Sequence, residues 1–285
     1  MAASIRIGTC SWADEALTKH WYPPGTPARE RLPYYAERFS TVEVDSTYYR
    51  VPDGKMVQGW ADRTPDGFTM HVKAFGLMTR HPVKLEQVPP ELREGLPVDD
   101  RGRVDRPPRD ARAGVFRVFL DALEPLRASG KLGGILFQMP PYVVWKPSSL
   151  DYLEWARDQV GDDVFLFEPR HRSWYADDIR SELLRWLEER RMSWVVVDAP
   201  KSAAANVPDT LVGVKSAKLT VVALVDGDTG SVPTGQPASI DDLYYHDLGA
   251  SACTASPVFQ GLPCIDATLG AELFVGTVTV KAYTK

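Results

Sequence analysis

Phe165-Leu166-Phe167-Glu168-Pro169-Arg170-His171-Arg172-Ser173-Trp174 is an apolar run of strand character that stops abruptly in a carboxylate, a guanidinium, an imidazole and an indole. A short run of this kind fits a strand buried on both faces, as in a parallel sheet. Charged groups gathered where such a strand ends are better explained by a site at the sheet's rim than by chance exposure. Side chains alternate along a strand, so Glu168 and Arg170 project to one face with Val164 and Leu166 below them. The pair can hold each other and a ligand.

Working outward, the same texture recurs. Residues 5–12 read as a first strand, a helix over 27–39 follows with its start delayed by Pro33, and 41–49 read as a second strand. Asp53 is placed to cap a helix carrying Met56, Val57 and Trp60, ahead of a third strand over 68–75. From His81 to Arg112 the chain turns to Pro, Glu, Arg and Asp, with too little apolar surface for core structure, and reads as an excursion or lid. Regular pattern returns with a helix over 114–126, a strand over 133–140, a helix over 149–160, the strand ending in Glu168, a helix over 177–190 and a strand over 194–200. Strands separated by helices rather than by short hairpin links imply parallel neighbours.

The last third is different. All 22 arginines lie at or before Arg191 and all 8 tryptophans at or before Trp194, so the tail is built of other material. Residues 219–225 and 271–280 are its two strand-like stretches. In the whole chain of 285 residues the net charge of −5 is spread among interspersed acids and bases, which does not favour a nucleic-acid partner. The start lacks an apolar signal core and no window is apolar enough for a membrane span, so a cytoplasmic protein is expected. The 3 cysteines have neither the pairing of a disulfide framework nor zinc spacing, and no Gly-rich phosphate loop or dinucleotide fingerprint calls for a cofactor.

Several short motifs occur in a fixed order: Ile7-Gly8-Thr9-Cys10-Ser11-Trp12, Trp21-Tyr22-Pro23, the run from Thr41 to Tyr49, Lys73, Leu136-Phe137-Gln138-Met139-Pro140, the run from Glu168 to Trp174, and Val197-Asp198-Ala199-Pro200. Together they resemble the YecE-like family, domain of unknown function 72, over about residues 5–222. The resemblance implies a TIM-type (β/α)8 barrel forming one domain over 1–285; it implies no established reaction. Two departures stand out. Asp45 occupies a place where the family more usually has Asn, and after Val222 the family's Arg-x-His-Gly motif is missing. The expectation is a changed reading frame near Val222, with an atypical tail over 223–285 and a barrel incomplete or irregular after about residue 222.

In such a barrel the strand C-terminal ends meet at one face, which is where fold analogy puts chemistry. That face would collect Glu43, Asp45, Lys73, Gln138, Glu168, Arg170, His171 and Asp198, flanked by Trp12 and Trp174. Glu168, Lys73, Glu43, Asp198 and His171 are the catalytic candidates; Arg170, Gln138, Asp45, Trp12 and Trp174 are the binding candidates. Each has a plainer role. Glu168 and Arg170 form a structural ion pair, Lys73 serves as a counter-ion, His171 caps a loop, and the indoles pack the rim. Two carboxylates brought together would raise one pKa and make an acid/base pair. Cations in the same mouth disfavour a divalent metal and favour a small anionic substrate, phosphate- or carboxylate-bearing, clamped by Arg170 and handled by a metal-independent acid/base enzyme. The alternatives are a metal-dependent hydrolase or isomerase using the carboxylates, and a non-catalytic module that binds a small anion or a partner.

Overall fold

The computed structural model describes residues 5–15, 17–195, 197–198, 221–226 and 278–283. Strands and helices alternate: β1 (Ile5–Thr9), α1 (Ala28–Ala36), β2 (Thr41–Val44), α2 (Gly54–Asp62) and β3 (Thr69–Lys73). An excursion follows, carrying β4 (Val83–Lys84) and β5 (Arg103–Val104). Then come α3 (Arg109–Ala122), α4 (Glu124–Ala128), β6 (Leu132–Gln138), α5 (Pro147–Val160), β7 (Phe165–Glu168), α6 (Arg180–Glu189) and β8 (Met192–Trp194). Three further strands are β9 (Val197–Asp198), β10 (Val221–Asp226) and β11 (Val278–Tyr283).

Local chemistry explains these elements. Asp53 Oδ1 accepts from the Met56 N–H at 2.9 Å and caps α2 as expected. At the other end of α2, the buried Lys131 Nζ donates to the Ala61 and Thr64 carbonyls, both at 2.6 Å. Pro33 does not delay α1 but lies inside it. A proline cannot donate to the carbonyl four residues earlier. That carbonyl, of Arg29, instead accepts from Arg63 Nη1 at 3.4 Å.

All pairing between the main strands is parallel, as the helical connections require. One sheet has the order β2-β3-β6-β7-β8 and the other β1-β11-β10-β9. Two features join them. Ser40 N donates to Ile7 O at 3.3 Å and Ser11 N to Glu43 O at 2.9 Å, tying the β1 strip to β2. At the far margin, β8 and β9 follow each other along one stretch of chain. β10 and β11 overlap the two strand-like stretches of the tail; the expected change of reading frame otherwise falls outside the described residues.

The register separates the two faces of the five-stranded sheet. Partnered residues in neighbouring parallel strands share a face. Val42, Val44, Met70, Val72, Ile135, Phe137, Phe165 and Phe167 lie on the side that packs on the helices within the main hydrophobic core. The Phe137 and Phe165 rings stack at 4.0 Å and Phe116 of α3 lies 6.0 Å from Phe137. The opposite face carries Thr41, Glu43, His71, Lys73, Leu136, Gln138, Leu166 and Glu168, a mostly polar series.

The stretch from His81 to Arg112 differs from the sequence reading. It is folded, with β4 and β5 paired antiparallel, and Val83, Val88 and Val104 buried in the main core. Three valines spaced widely among charges carry no periodicity, which is why composition alone hides them. Val164 is also displaced: it precedes β7 and is 40% exposed, so Leu166 alone lies beneath Glu168.

Candidate active site

Glu168 closes β7 with its side chain fully buried. A carboxylate is kept there because donors reach it from both sides. Gln138, its register partner on β6, donates Nε2–H to Oε1 at 2.7 Å, and Arg170 Nε donates to the same oxygen at 2.5 Å. The pairing of Arg170 with Glu168 is the ion pair seen in the sequence pattern. Oε2 is buried without a hydrogen-bond partner among the described residues. A buried acceptor left in this condition is costly, and it is the atom with capacity for a proton or a ligand donor. Tyr175 is close enough that its phenol is held well above the usual range, by burial first and by the Glu168 charge second.

A second cluster forms where β2 and β3 end. Glu43 is fully buried, sits opposite His71 in the register, and accepts from the Cys10 thiol at 3.5 Å. His71 is buried beside it, in space left by Gly133, where an added Cβ would come within 2.7 Å of the imidazole Cε1. Asp45 follows β2 by one residue. Burial and the neighbouring Glu43 raise its carboxyl pKa, with Lys73 acting in the opposite direction. Asp45 and Glu43 are thus two carboxyls close enough for one to push the other's pKa upward.

Lys73 ends β3 with its ammonium 5.2 Å from the Tyr48 ring centre. The Thr47 hydroxyl fixes the strand end by donating to the Lys73 carbonyl at 2.6 Å. Lys73 also acts on His81. This ring is held down at about 4, mainly by burial and then by the Lys73 charge, and its Nδ1 lies 2.8 Å from the Thr79 hydroxyl. The Lys73 ammonium therefore belongs with Asp45, Tyr48 and His81, whereas Glu168 is paired with Arg170. His81 was missed in the sequence because it opens the stretch read as lid, where no strand pattern marks a side chain as inward.

The remaining candidates fall as follows. His171 Nδ1 accepts from the Ser173 N–H at 3.1 Å and lies 2.9 Å from its hydroxyl, so one ring nitrogen caps the turn Arg172–Trp174. Trp174 is 1% exposed and its Nε1–H donates to Val143 O at 2.8 Å. Enclosed against Phe167 and Trp145, it has no face left for a flat ligand, so packing is its role here. Trp12 is half-buried and meets Trp60 edge-on at 5.8 Å. Asp198 ends β9, in register with Val225; its side chain lies outside the described ones. Among the described residues no three His, Cys, Asp or Glu side chains form a group able to hold a metal ion.

Residues 6–242 match the family model described as protein of unknown function DUF72. The chain belongs to the DUF72 family. The match runs past Val222, beyond the last of the motifs quoted above. UPF0759 protein YunF of Bacillus subtilis (strain 168) is 30% identical over 207 residues, 73% of this chain and 65% of YunF. The chain thus spans just under two thirds of that relative's length. A DUF72 protein of Enterococcus faecalis V583 has a similar structure, with a TM-score of 0.64, 18% identity, and coverage of 100% of this chain and 92% of that one. A DUF72 protein of Thermotoga maritima MSB8 gives 0.62 at 20% identity, over 98% and 92%. At these identities the likeness establishes the fold: α/β with parallel sheets. Among the described residues no helix is long and apolar enough to cross a membrane.

Proposed function

We propose that the two sheets are one closed (β/α)8 barrel of TIM type, and that the chain is an enzyme acting on a small anionic substrate by acid/base chemistry at the strand C-terminal ends. Closure is supported by the β1 to β2 hydrogen bonds at one margin and by the run of chain from β8 into β9 at the other. Eight positions then complete the ring, β8 and β9 sharing one. A cytoplasmic location goes with this reading.

The observation that carries the catalytic reading is the Glu168 carboxylate, buried, anchored through Oε1 by Gln138 and Arg170, with Oε2 open to a further donor. Anchoring one oxygen fixes the direction in which the other meets a proton. Asp45, whose carboxyl pKa is raised by burial and by Glu43, supplies a second acid/base group, while Lys73 and Arg170 attract the anion. Glu43 orients this pair. Any part taken by His171 would run through Nε2, since Nδ1 is engaged. The test is a small-anion metabolite screen by ligand-induced stabilisation, followed by turnover assays on the hits. Glu168→Gln should bind a hit as the parent does and turn it over at least a hundred-fold more slowly, roughly the value of one positioned acid or base. Equal turnover would remove Glu168 from the chemistry. Hits that bind without turnover by the unaltered protein would make the chain a binding module.

A further inference from the structure

The β3–α3 excursion and the N-terminus of α5 enclose a cavity of 640 Å³ whose walls carry Arg80, Arg106, Arg109, Arg112 and Lys146 against a single acid, Asp105. We propose that this cavity, which His81 also lines and which therefore adjoins the Lys73 cluster, is a binding site for a phosphate group that does not involve the Glu168 carboxylate.

Three independent observations support it. Arg112 is only 7% exposed, yet it has no carboxylate partner among the described residues; its side chain hydrogen-bonds Tyr152, whose ring it faces at 5.1 Å, and its Nε has no hydrogen-bond partner. A buried guanidinium surrounded by other cations is costly unless an anion completes its surroundings. Burial first, then Arg80 and Arg109, lower its pKa, with Tyr152 acting in the opposite direction. Arg80 lies 5.2 Å from the same ring, so two guanidiniums converge on one aromatic floor.

The backbone gives the second observation. Arg80 (φ 67°) and Arg106 (φ 49°) both adopt the left-handed region that favours glycine. Side chains with a Cβ persist there when surrounding structure insists on them, and such residues cluster at ligand sites. The Tyr142 hydroxyl, donating to the Arg80 carbonyl at 2.5 Å, fixes this turn against the loop after β6.

The third is α5, a helix of 14 residues that opens at this cavity. Its Ncap, Lys146, provides no capping acceptor, and Pro147 follows it. Ser149, at the third helical position, is fully buried, lines the cavity, and its hydroxyl has no partner. A helix start without a side-chain cap, an orphan hydroxyl and several cations are the components of a tetrahedral-anion cradle. Arg109 and Arg106 already pair with Asp151 and Asp105, which leaves Arg80, Arg112 and Lys146 as the cations for the ligand.

Inorganic phosphate titrated into the full chain by calorimetry at constant ionic strength tests this. One saturable site is expected, with Arg80→Gln and Lys146→Gln each weakening it about ten-fold or more while the melting temperature without phosphate is unchanged. Glu168→Gln should bind phosphate as the parent does, which separates this site from the catalytic reading. Phenyl phosphate displacing inorganic phosphate and binding more tightly would identify an ester as the ligand; weaker binding would identify the free ion. No saturable binding up to roughly 10 mM, or unaltered affinity in both cavity variants, would overturn the site.

Discussion

Replacing His81 by Asn should flatten the pH dependence of stability between about pH 6.5 and pH 4. The imidazole is held at about 4 against an ordinary 6.5, by burial and then by Lys73, so the folded chain keeps it neutral where the unfolded chain protonates it. Between these values the unfolded state binds one proton more, and stability rises with pH. His81 therefore costs nothing above about pH 7. Its penalty grows as pH falls through 6.5 and levels off below 4. From pH 7 to pH 5 the loss is about 2 kcal/mol, from 1.36 kcal/mol per unit less the small fraction already lost at the upper pH. With an unfolding entropy of about 0.6 kcal/mol per degree for a chain of this length, that is about 3 °C in melting temperature. Asn keeps a polar atom near the position of Nδ1, where the Thr79 hydroxyl lies 2.8 Å away. Urea denaturation of both proteins at pH 7 and pH 5 gives the answer. The variant should lose about 2 kcal/mol less than the parent on acidification, whatever its absolute stability. Parallel losses would mean that His81 titrates normally in the fold, and that the packing of Tyr48 and Lys73 around it is wrong.

Three other perturbations follow from the geometry. Lys131→Met removes two charge-assisted bonds to the Ala61 and Thr64 carbonyls and leaves them buried; a loss of about 2–4 kcal/mol is expected in denaturant titrations, and a loss under 1 kcal/mol would refute the cap. In Gly8→Ala the new Cβ would come within 2.0 Å of the Thr41 carbonyl oxygen, so β1 must part from β2; destabilisation by at least about 3 kcal/mol or insoluble protein is expected, and a parent-like melting curve would argue against the closed ring. Lys73→Met removes the charge that opposes burial and Glu43 at Asp45 and leaves only backbone hydrogen bonds from Asp45 and Ser46 against them, so its carboxyl should titrate still higher; carbon-detected NMR of the side-chain carboxyls would show this, and a downward or absent shift would place Lys73 elsewhere.

What the sequence discloses here follows the period of each element. Strands such as β6 and β7 announce themselves by unbroken apolar runs, and their last residues, Gln138 and Glu168, are found in register and bonded as their positions suggest. Alternation likewise places Glu43, His71 and Lys73 on one face. Pairing choice is less legible. Alternation puts Arg170 beside Glu168, but nothing in the order of residues says that Lys73 acts on Asp45 rather than on Glu168, because that depends on how side chains reach across strand ends. Trp174 shows the same limit: an indole after a strand reads equally as a ligand platform or as packing, and only its buried N–H on Val143 decides.

The excursion between β3 and α3 is the larger lesson. Arg-rich and Pro-rich sequence reads as solvated because each charge, taken singly, is better off in water. Yet Val83, Val88 and Val104 anchor the stretch to the core, and that anchoring is what turns Arg80 and Arg106 toward a common cavity and closes it over Arg112. The same charges that exclude the segment from the core by composition become a coherent positive wall once three apolar side chains fix its path. A fold that spends buried valines and two left-handed backbone residues on holding cations together is arranged to meet an anion there, which is why the phosphate titration bears more directly on function than any substitution within the sheet.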